Sequence, residues 1–186
     1  YSSPLRRAHD TATTLLAAHG GGLEPQLDDD LLEVDLAPWS GLLGSEVRER
    51  FPHEHRLWHH HPEQLTLQRA DGSTYAPIPE LMDQAGRFVA RLLAAHDPAA
   101  PGQSTVLVVG HNAILRCLLL TLLGLPAAGF RRLRLDNASL SVLNLTPAEG
   151  DRTVVQIESL NGTSHLHREV CASTLPAKGP GQRLLL

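Results

Sequence analysis

Residues 105–112 read Thr-Val-Leu-Val-Val-Gly-His-Asn, and the next eleven residues are Ala-Ile-Leu-Arg-Cys-Leu-Leu-Leu-Thr-Leu-Leu. An unbroken apolar run between turn signals is typical of a strand that is buried on both faces of a parallel sheet. The glycine ends this strand, and the apolar spacing of residues 112–123 predicts a helix. The stretch therefore predicts a strand–turn–helix unit that carries His111 in its turn.

Further helices and strands are predicted on both sides of this unit. Ser3 and Pro4 suit the N-cap and first position of a helix that runs to Gly20, and an amphipathic helix is predicted over Pro79–His96. A short helix is expected at residues 45–51, and more strands at residues 133–135, 140–145 and 154–160. Together they predict an α/β fold, a three-layer sandwich around a largely parallel sheet.

The composition is typical of one globular domain and gives no sign of a nucleic-acid or membrane partner. A chain of 186 residues is long enough for a single hydrophobic core. Its net charge of -4 gives no general reason to expect a nucleic acid as partner. The longest apolar run, residues 114–125, contains Arg116 and is too short to cross a bilayer, and no secretion leader is visible. We therefore expect a cytoplasmic protein without a membrane partner.

Two arginines and a histidine are candidates for binding an anion. Arg6 and Arg7 fall in the first turn of the first predicted helix, where the helix dipole disfavours cations. They either share a bound anion with the free N–H groups of that turn or are simply solvated. His111 occupies the usual ligand position of open α/β sheets. The alternative is a histidine that caps the next helix, although Asn112 could cap that helix itself.

Glu33 and a histidine-rich segment are weaker candidates. Glu33 follows two leucines, and apolar neighbours favour a protonated carboxyl that can donate a proton, although a surface carboxylate is the simpler interpretation. His55 and His59 have the i, i+4 spacing of a metal site on a helix. Nearby prolines and the lack of a second ligand cluster favour a polar lid that contacts substrate instead. Neither a metal nor a cofactor is predicted.

Three motifs together resemble the histidine phosphatase, or phosphoglycerate mutase-like, superfamily. They are Ser2-Ser3-Pro4-Leu5-Arg6-Arg7-Ala8 with Thr11-Ala12, then Leu32-Glu33 with Trp39-Ser40-Gly41, and finally Val108-Val109-Gly110-His111-Asn112. Each motif is weak alone, but the three occur in the family's order and at family-like separations.

The resemblance implies a phosphomonoesterase that acts on a small phosphorylated metabolite through a phosphohistidine. By this resemblance Arg7 would grip the substrate phosphate, and Glu33 would protonate the leaving oxygen. His111 would stabilise the transferring phosphoryl group, and the N–H group of Asn112 would join it. The reaction would need no metal, since arginines and histidines supply the positive charge.

One part of the family's pattern is missing. The family's nucleophile belongs to an Arg-His-Gly motif on the first strand, and this sequence contains no such tripeptide. The resemblance therefore implies a catalytic domain over residues 1–170 that lacks its first strand, so the chain as given is expected to be inactive. Ser40 also differs from the Glu of many relatives, a residue that the mechanism does not require.

The last residues are open to two interpretations. Residues 171–182 are rich in proline and glycine, as linkers are, and residues 183–186 have the apolar character of a buried strand. This strand is predicted to open a second, homologous domain, whose Arg-His-Gly would follow Leu186. Alternatively, it folds back into the slot of the missing first strand, as in a circular permutation.

Two other functions stay open at this point. A phosphoglycerate mutase would use the same residues and transfer the phosphoryl group to a second hydroxyl. The segment after Glu33 does not resemble the substrate loop of true mutases, which disfavours that function. A non-catalytic phosphate-binding module is the third possibility, since the nucleophile is missing from the sequence.

Overall fold

The computed structural model describes residues 1–149, 152–166 and 181–186. Its helices are α1 (Arg6–His19), α2 (Gly44–Arg50), α3 (Pro52–His60), α4 (Pro77–Ala95) and α5 (Asn112–Leu122). Its strands are β1 (Leu67–Gln68), β2 (Thr74–Tyr75), β3 (Gln103–Leu107), β4 (Leu140–Ala148), β5 (Arg152–Gly162) and β6 (Gly181–Leu185). Short 3-10 turns lie at Asp29–Leu31, Ala37–Trp39, Pro62–Gln64, Ala127–Arg132 and Ser164–Leu166. Within these ranges, no helix is both long and apolar enough to cross a membrane.

The main sheet is mixed and has the strand order β3-β6-β4-β5. β3 and β6 are parallel, with Val106 opposite Leu184, whereas β4 runs antiparallel to both of its neighbours. The prediction of a largely parallel sheet is therefore wrong for the described strands, although the α/β class is confirmed. The reason is that β4 and β5 follow each other as a hairpin, which needs no helical crossover between its strands.

The parallel side of the sheet is extended by the first three residues. The Tyr1 nitrogen donates to the Leu107 carbonyl at 2.8 Å. The Val109 N–H donates to the Tyr1 carbonyl, and the Ser3 N–H donates to the Val109 carbonyl, both at 3.0 Å. Pro4 has no N–H group, so it ends this ladder. The chain then enters α1 beside the end of β3.

The last strand lies inside the sheet of this chain. β6 sits between β3 and β4, and Leu184 is 3% exposed there. The pairing continues past β6, because Leu186 and Ser141 exchange two backbone hydrogen bonds of 2.9 Å. β6 thus pairs within the sheet of this chain, and both interpretations of the last residues stay predictions. The predicted linker lies mostly outside the described residues, and its last two positions, Gly181 and Gln182, belong to β6.

One cluster of buried side chains joins α4 and α5 to the sheet. The amphipathic face of α4 contributes Phe88, α5 contributes Ile114 and Leu118, and the sheet contributes Leu143, all of them almost fully buried. Cys117 belongs to the same cluster, as expected for an apolar run, and burial raises the pKa of its thiol to about 12. The core therefore holds the first turn of α5 rigidly against the end of β3.

Three local predictions are wrong. α1 begins at Arg6, two residues later than predicted, because Ser3 is still part of the extended ladder. Residues 133–135 form no strand, since they follow a 3-10 turn and pair with no neighbour among the described residues. The histidine-rich segment contains a helix that was not predicted, α3, in which Pro52 takes a first-turn position that needs no N–H donor.

The position of β6 predicts a large effect of shortening Leu184. Leu184→Ala should lower the free energy of unfolding by about 2–5 kcal/mol, because it opens a cavity in the centre of the core. Leu23→Ala is the matched control, since Leu23 is 58% exposed. The control should change stability by no more than about 0.5 kcal/mol. Denaturant unfolding measures both, and equal effects would show that β6 is not part of the core.

Candidate active site

His111 lies where β3, the first residues and α5 meet. It is the residue that precedes α5, and it is buried, with 7% of its surface exposed. Its Nε2 atom is 2.8 Å from the Ser3 hydroxyl oxygen. The Ser3 side chain is fully buried as well, because the backbone ladder holds it beside Val109. The imidazole is therefore fixed in place from one side by a residue 108 positions away.

Arg7 contacts the other nitrogen of the same ring. Its Nε–H donates to His111 Nδ1 at 3.2 Å. The neighbouring Arg6 behaves differently, since its side chain is 93% exposed and pairs with Asp10, one turn along α1. The structure thus separates the two arginines, of which the resemblance named Arg7. Arg7 faces the site and Arg6 faces solvent.

The two contacts of His111 define its protonation. An arginine Nε–H can only donate, so Nδ1 carries the lone pair and Nε2 carries the proton that Ser3 accepts. Burial and the positive charge of Arg7 lower the pKa of His111, while Glu33 acts in the opposite direction. The imidazole is neutral at pH 7, and Arg7 is the main charged group beside it.

Glu33 lies at the N-terminus of α5, close to His111 in the fold. Its Oε1 atom accepts the Ala113 N–H at 3.1 Å and the Val34 N–H at 2.9 Å. The first turn of a helix has N–H groups without helical acceptors, so a carboxylate is a favourable partner there. The candidate acid is thus half-buried and serves as the cap of the helix that follows His111.

Asn112 does not play the capping role that the sequence suggested. Its side-chain amide instead donates to the Leu135 carbonyl at 2.6 Å. The His111 side chain makes no capping hydrogen bond either. The sequence interpretation missed this arrangement, because the capping group comes from Glu33, 80 positions before Ala113.

Ion pairs hold the segment in front of Glu33 against α4. Arg87 Nη2 lies 2.6 Å from Asp30, and Arg91 Nη2 lies 2.8 Å from both Asp28 and Asp30. Burial raises the pKa of Asp30, but the hydrogen bonds and charges of the two arginines outweigh it and lower this pKa overall. These ion pairs therefore fix the segment that carries Glu33 against α4.

An acidic cleft of about 510 Å³ adjoins the site on the far side of Glu33. Asp29, Asp35, Glu80 and Asp83 are among the carboxylates that line it, and neither Arg7 nor His111 does. Its negative charge repels phosphate, although Arg69 and Arg87 partly compensate for it. An anion is therefore favoured beside Arg7 and His111 rather than in this cleft.

The histidine-rich segment contributes a stacked pair on α3. The rings of His55 and His59 have centroids 4.4 Å apart. Burial, followed by the positive charges of His55, Arg131 and His60, lowers the pKa of His59. Among the residues that the structure describes, no group of three or more histidine, cysteine or acidic side chains is placed to hold a metal ion. The lid that contacts substrate stays a prediction.

Ser3 is a polar residue of the site whose role the sequence interpretation missed. The sequence predicts a helix cap at Ser3, whereas its hydroxyl accepts from the imidazole. No local signal marks this contact, because His111 lies 108 positions away in the sequence.

The fold belongs to the α/β class, and Arg7 and a neutral His111 lie where a parallel strand ends and a helix begins, which is the usual ligand position of such folds. Comparison with known proteins agrees with this class. The model of the histidine phosphatase superfamily (branch 1) matches residues 1–158, and the chain belongs to that superfamily.

Some relatives are named as phosphatases, and a probable phosphoglycerate mutase of Yersinia pestis is 36% identical over 169 residues, covering 89% of this chain and 71% of that protein. The chain is 31% identical over 166 residues to phosphoserine phosphatase 1 of Hydrogenobacter thermophilus, covering 89% of this chain and 71% of that protein. It is 37% identical over 152 residues to 2-carboxy-D-arabinitol-1-phosphatase of Triticum aestivum, covering 82% of this chain and 28% of that protein. A mycobacterial glucosyl-3-phosphoglycerate phosphatase superposes with a TM-score of 0.68 at 25% identity, over 87% of this chain and 76% of that one.

The geometry predicts an imidazole that resists protonation. The pKa of His111 should lie below its ordinary value of 6.5, and Arg7→Met should raise it, because a positive charge beside Nδ1 is removed. The matched variant Arg6→Met should leave it unchanged. Titration of the ring carbons and nitrogens by NMR measures the pKa and also identifies the protonated nitrogen.

The same shift has a consequence for stability. A histidine whose pKa is lowered in the folded state does not reduce the free energy of unfolding above pH 6.5. As the pH falls from 6.5 to the folded-state pKa, that free energy decreases, because the unfolded state binds the proton first. His111→Gln should reduce the fall in the free energy of unfolding between pH 6.5 and that lower value. An unchanged pH dependence, or a proton on Nδ1, would contradict the assigned hydrogen bonds.

Proposed function

We propose that the chain is the catalytic core of a phosphomonoesterase acting on a small phosphorylated metabolite through a phosphohistidine. The observation that carries this proposal is the convergence of Arg7, His111 and Glu33 at the first turn of α5. Three residues from distant parts of the sequence meet there around a helix N-terminus that favours anions. The phosphatase names of the relatives support the same reaction.

In the proposed ground state the substrate phosphate displaces the contact between Arg7 and His111. The guanidinium of Arg7 turns its N–H groups to the phosphate oxygens, which charge-assisted hydrogen bonds favour over a neutral acceptor. Nδ1 of His111 then faces an anion, so it gains a proton and becomes a second donor. The main-chain N–H of Asn112 is the third donor, since it lies in the first turn of α5.

In the first chemical step a histidine nitrogen attacks phosphorus and the bond to the ester oxygen breaks. Glu33 is bonded as a carboxylate in the free protein, so it takes the proton that a substrate phosphate monoanion brings and gives it to the leaving oxygen, and an alcohol departs rather than an alkoxide. Arg7 and His111 stabilise the charge on the equatorial oxygens of the transferring group. In the second step water attacks the phosphohistidine, and the Glu33 carboxylate takes up the proton that the water releases.

We propose that the nucleophile follows Leu186. β6 is parallel to β3, with Leu185 opposite Leu107. Continuation of this register brings the next residues of the chain beside Val109 and Gly110, immediately before His111. An Arg-His-Gly at that point would place its histidine within reach of a phosphate bound by Arg7. Two arrangements fit this proposal. The strand belongs to this domain, as in a circular permutation, or it is the first strand of a second domain and pairs with the sheet of this one.

Anion binding tests the electrostatic half of the proposal. Residues 1–186 should bind phosphate and vanadate, and Arg7→Ala should weaken this binding by about 10-fold to 100-fold through loss of charge-assisted hydrogen bonds. Arg6→Ala is the matched control and should bind almost normally, since the Arg6 side chain is 93% exposed. Isothermal titration calorimetry measures the affinity of the wild-type chain and of both variants for each anion.

A phosphate-release assay tests whether residues 1–186 contain the nucleophile. The same chain should hydrolyse phosphomonoesters no faster than buffer, because no acceptor for the phosphoryl group is present. Turnover that disappears in His111→Ala would show that the nucleophile is misassigned. Binding without turnover in a natural full-length protein would favour a phosphate-binding module instead.

The coding sequence beyond Leu186 tests the source of the nucleophile. Translation should reach Arg-His-Gly within a few residues, and a chain extended through that motif should release phosphate from small phosphomonoesters. Its His→Ala variant should retain vanadate binding and lose turnover, because only the acceptor is removed. A stop codon directly after Leu186 would rule out this source.

A further inference from the structure

Ser3 is a polar residue of the site that the proposed reaction does not use. Its side chain is fully buried, and burying a hydroxyl costs free energy unless a hydrogen bond compensates for it. The backbone ladder accounts for the position of the residue, since the Ser3 N–H donates to the Val109 carbonyl at 3.0 Å. The ladder does not account for the hydroxyl, because a methyl group would leave these backbone hydrogen bonds intact.

The Ser3 hydroxyl oxygen lies within reach of two donors. His111 Nε2 is 2.8 Å away, and the Leu5 N–H donates to the same oxygen at 3.3 Å. A hydroxyl oxygen has two lone pairs, so it can accept from both groups at once. The oxygen is therefore held as an acceptor that faces the imidazole.

The other ring nitrogen faces Arg7, the residue that is proposed to bind the substrate phosphate. Nδ1 accepts the Arg7 Nε–H at 3.2 Å, so the imidazole lies between a donor and an acceptor. Turning the ring over would place carbon atoms against both partners and would leave a buried N–H group without an acceptor. The two contacts together therefore select one orientation and one tautomer of the ring.

We propose that Ser3 is a positioning residue of the reaction, which holds the Nε2–H group of His111 so that Nδ1 is presented to the substrate phosphate. The inference rests on the proposed function, in which Nδ1 gains a proton when the phosphate binds. The imidazolium that forms is a stronger donor than the neutral ring, so its hydrogen bond to Ser3 strengthens at the same moment.

Ser3 thus stabilises the charged form of His111 without contacting the substrate. Arg7 and Glu33 are the charged groups that act on the ring in the free protein, where Arg7 disfavours this form and Glu33 favours it. A neutral acceptor at Nε2 adds to the effect of Glu33 and leaves the Nδ1 side open to the anion.

Ser2 provides a matched control one residue away. It is fully buried as well, and its hydroxyl donates to the Ser3 carbonyl at 3.0 Å. Successive side chains of an extended segment point to opposite faces, so the Ser2 side chain points away from the imidazole. Ser2→Ala and Ser3→Ala each remove one buried hydroxyl, but only Ser3→Ala removes an acceptor of His111.

Nitrogen NMR of the imidazole tests the proposal without a ligand. At pH 7 the Nε2 atom of His111 should carry the proton in the wild-type chain and in Ser2→Ala. Ser3→Ala should show a mixture of both tautomers, because the buried Nε2–H group then lacks its acceptor. The spectrum of His111→Gln assigns the signals of this ring among the 11 histidines of the chain.

Phosphate affinity measures the consequence for the site. Ser3→Ala should bind inorganic phosphate about fivefold to tenfold more weakly than the wild-type chain, the range expected for loss of one hydrogen bond. Ser2→Ala should stay within about twofold of the wild-type affinity, because its hydroxyl does not contact the ring. Calorimetry at pH 7 measures the three affinities.

The outcomes separate the two proposals. A Ser3→Ala chain that keeps either the wild-type tautomer or the wild-type phosphate affinity overturns the role of Ser3 and leaves the proposed function standing. Equal losses of affinity in Ser2→Ala and Ser3→Ala also overturn that role, since both would then reflect packing. A wild-type chain that binds no phosphate overturns the proposed function, and the role of Ser3 in that reaction with it.

Discussion

The backbone ladder between Tyr1–Ser3 and Leu107–Val109 is the constraint on which the site depends. It places the entry to α1 directly beside the entry to α5, because both helices begin where parallel segments end. Pro4 ends the ladder, and Arg7 then falls in the first turn of a helix that starts next to His111. The same ladder buries Ser3 against the imidazole. Without it, the residues that contact His111 would be far from it.

Charge is arranged around this meeting point so that the site favours an anion. His111 is neutral because burial and Arg7 disfavour its protonated form. Glu33 contributes a negative charge, but its carboxylate is bonded to the first turn of α5. The adjoining cleft is acidic, so the positive charge of Arg7 marks the part of the site that favours an anion.

Some of the fold could be predicted from local patterns. The long amphipathic helix α4 and the unit of β3 and α5 have periodicities that tertiary contacts do not override. The prediction of a strand at residues 133–135 was wrong because three residues are too few to distinguish a strand from a packed loop. The prediction of a largely parallel sheet was wrong because the relative direction of strands depends on which strands become neighbours. β6 enters between β3 and β4, and its neighbours are encoded nowhere near it in the sequence.

The sequence by itself determined the family, the α/β class, and Arg7, Glu33 and His111 as candidates, because motif order and residue chemistry are local properties. Tertiary structure decided that Arg7 contacts the imidazole of His111 whereas Arg6 faces solvent, since the two are adjacent and only the rotation of α1 separates them. It also decided that Glu33 caps α5 and that Ser3 accepts from His111. These contacts join residues about a hundred positions apart, and such distances close only when the core packs.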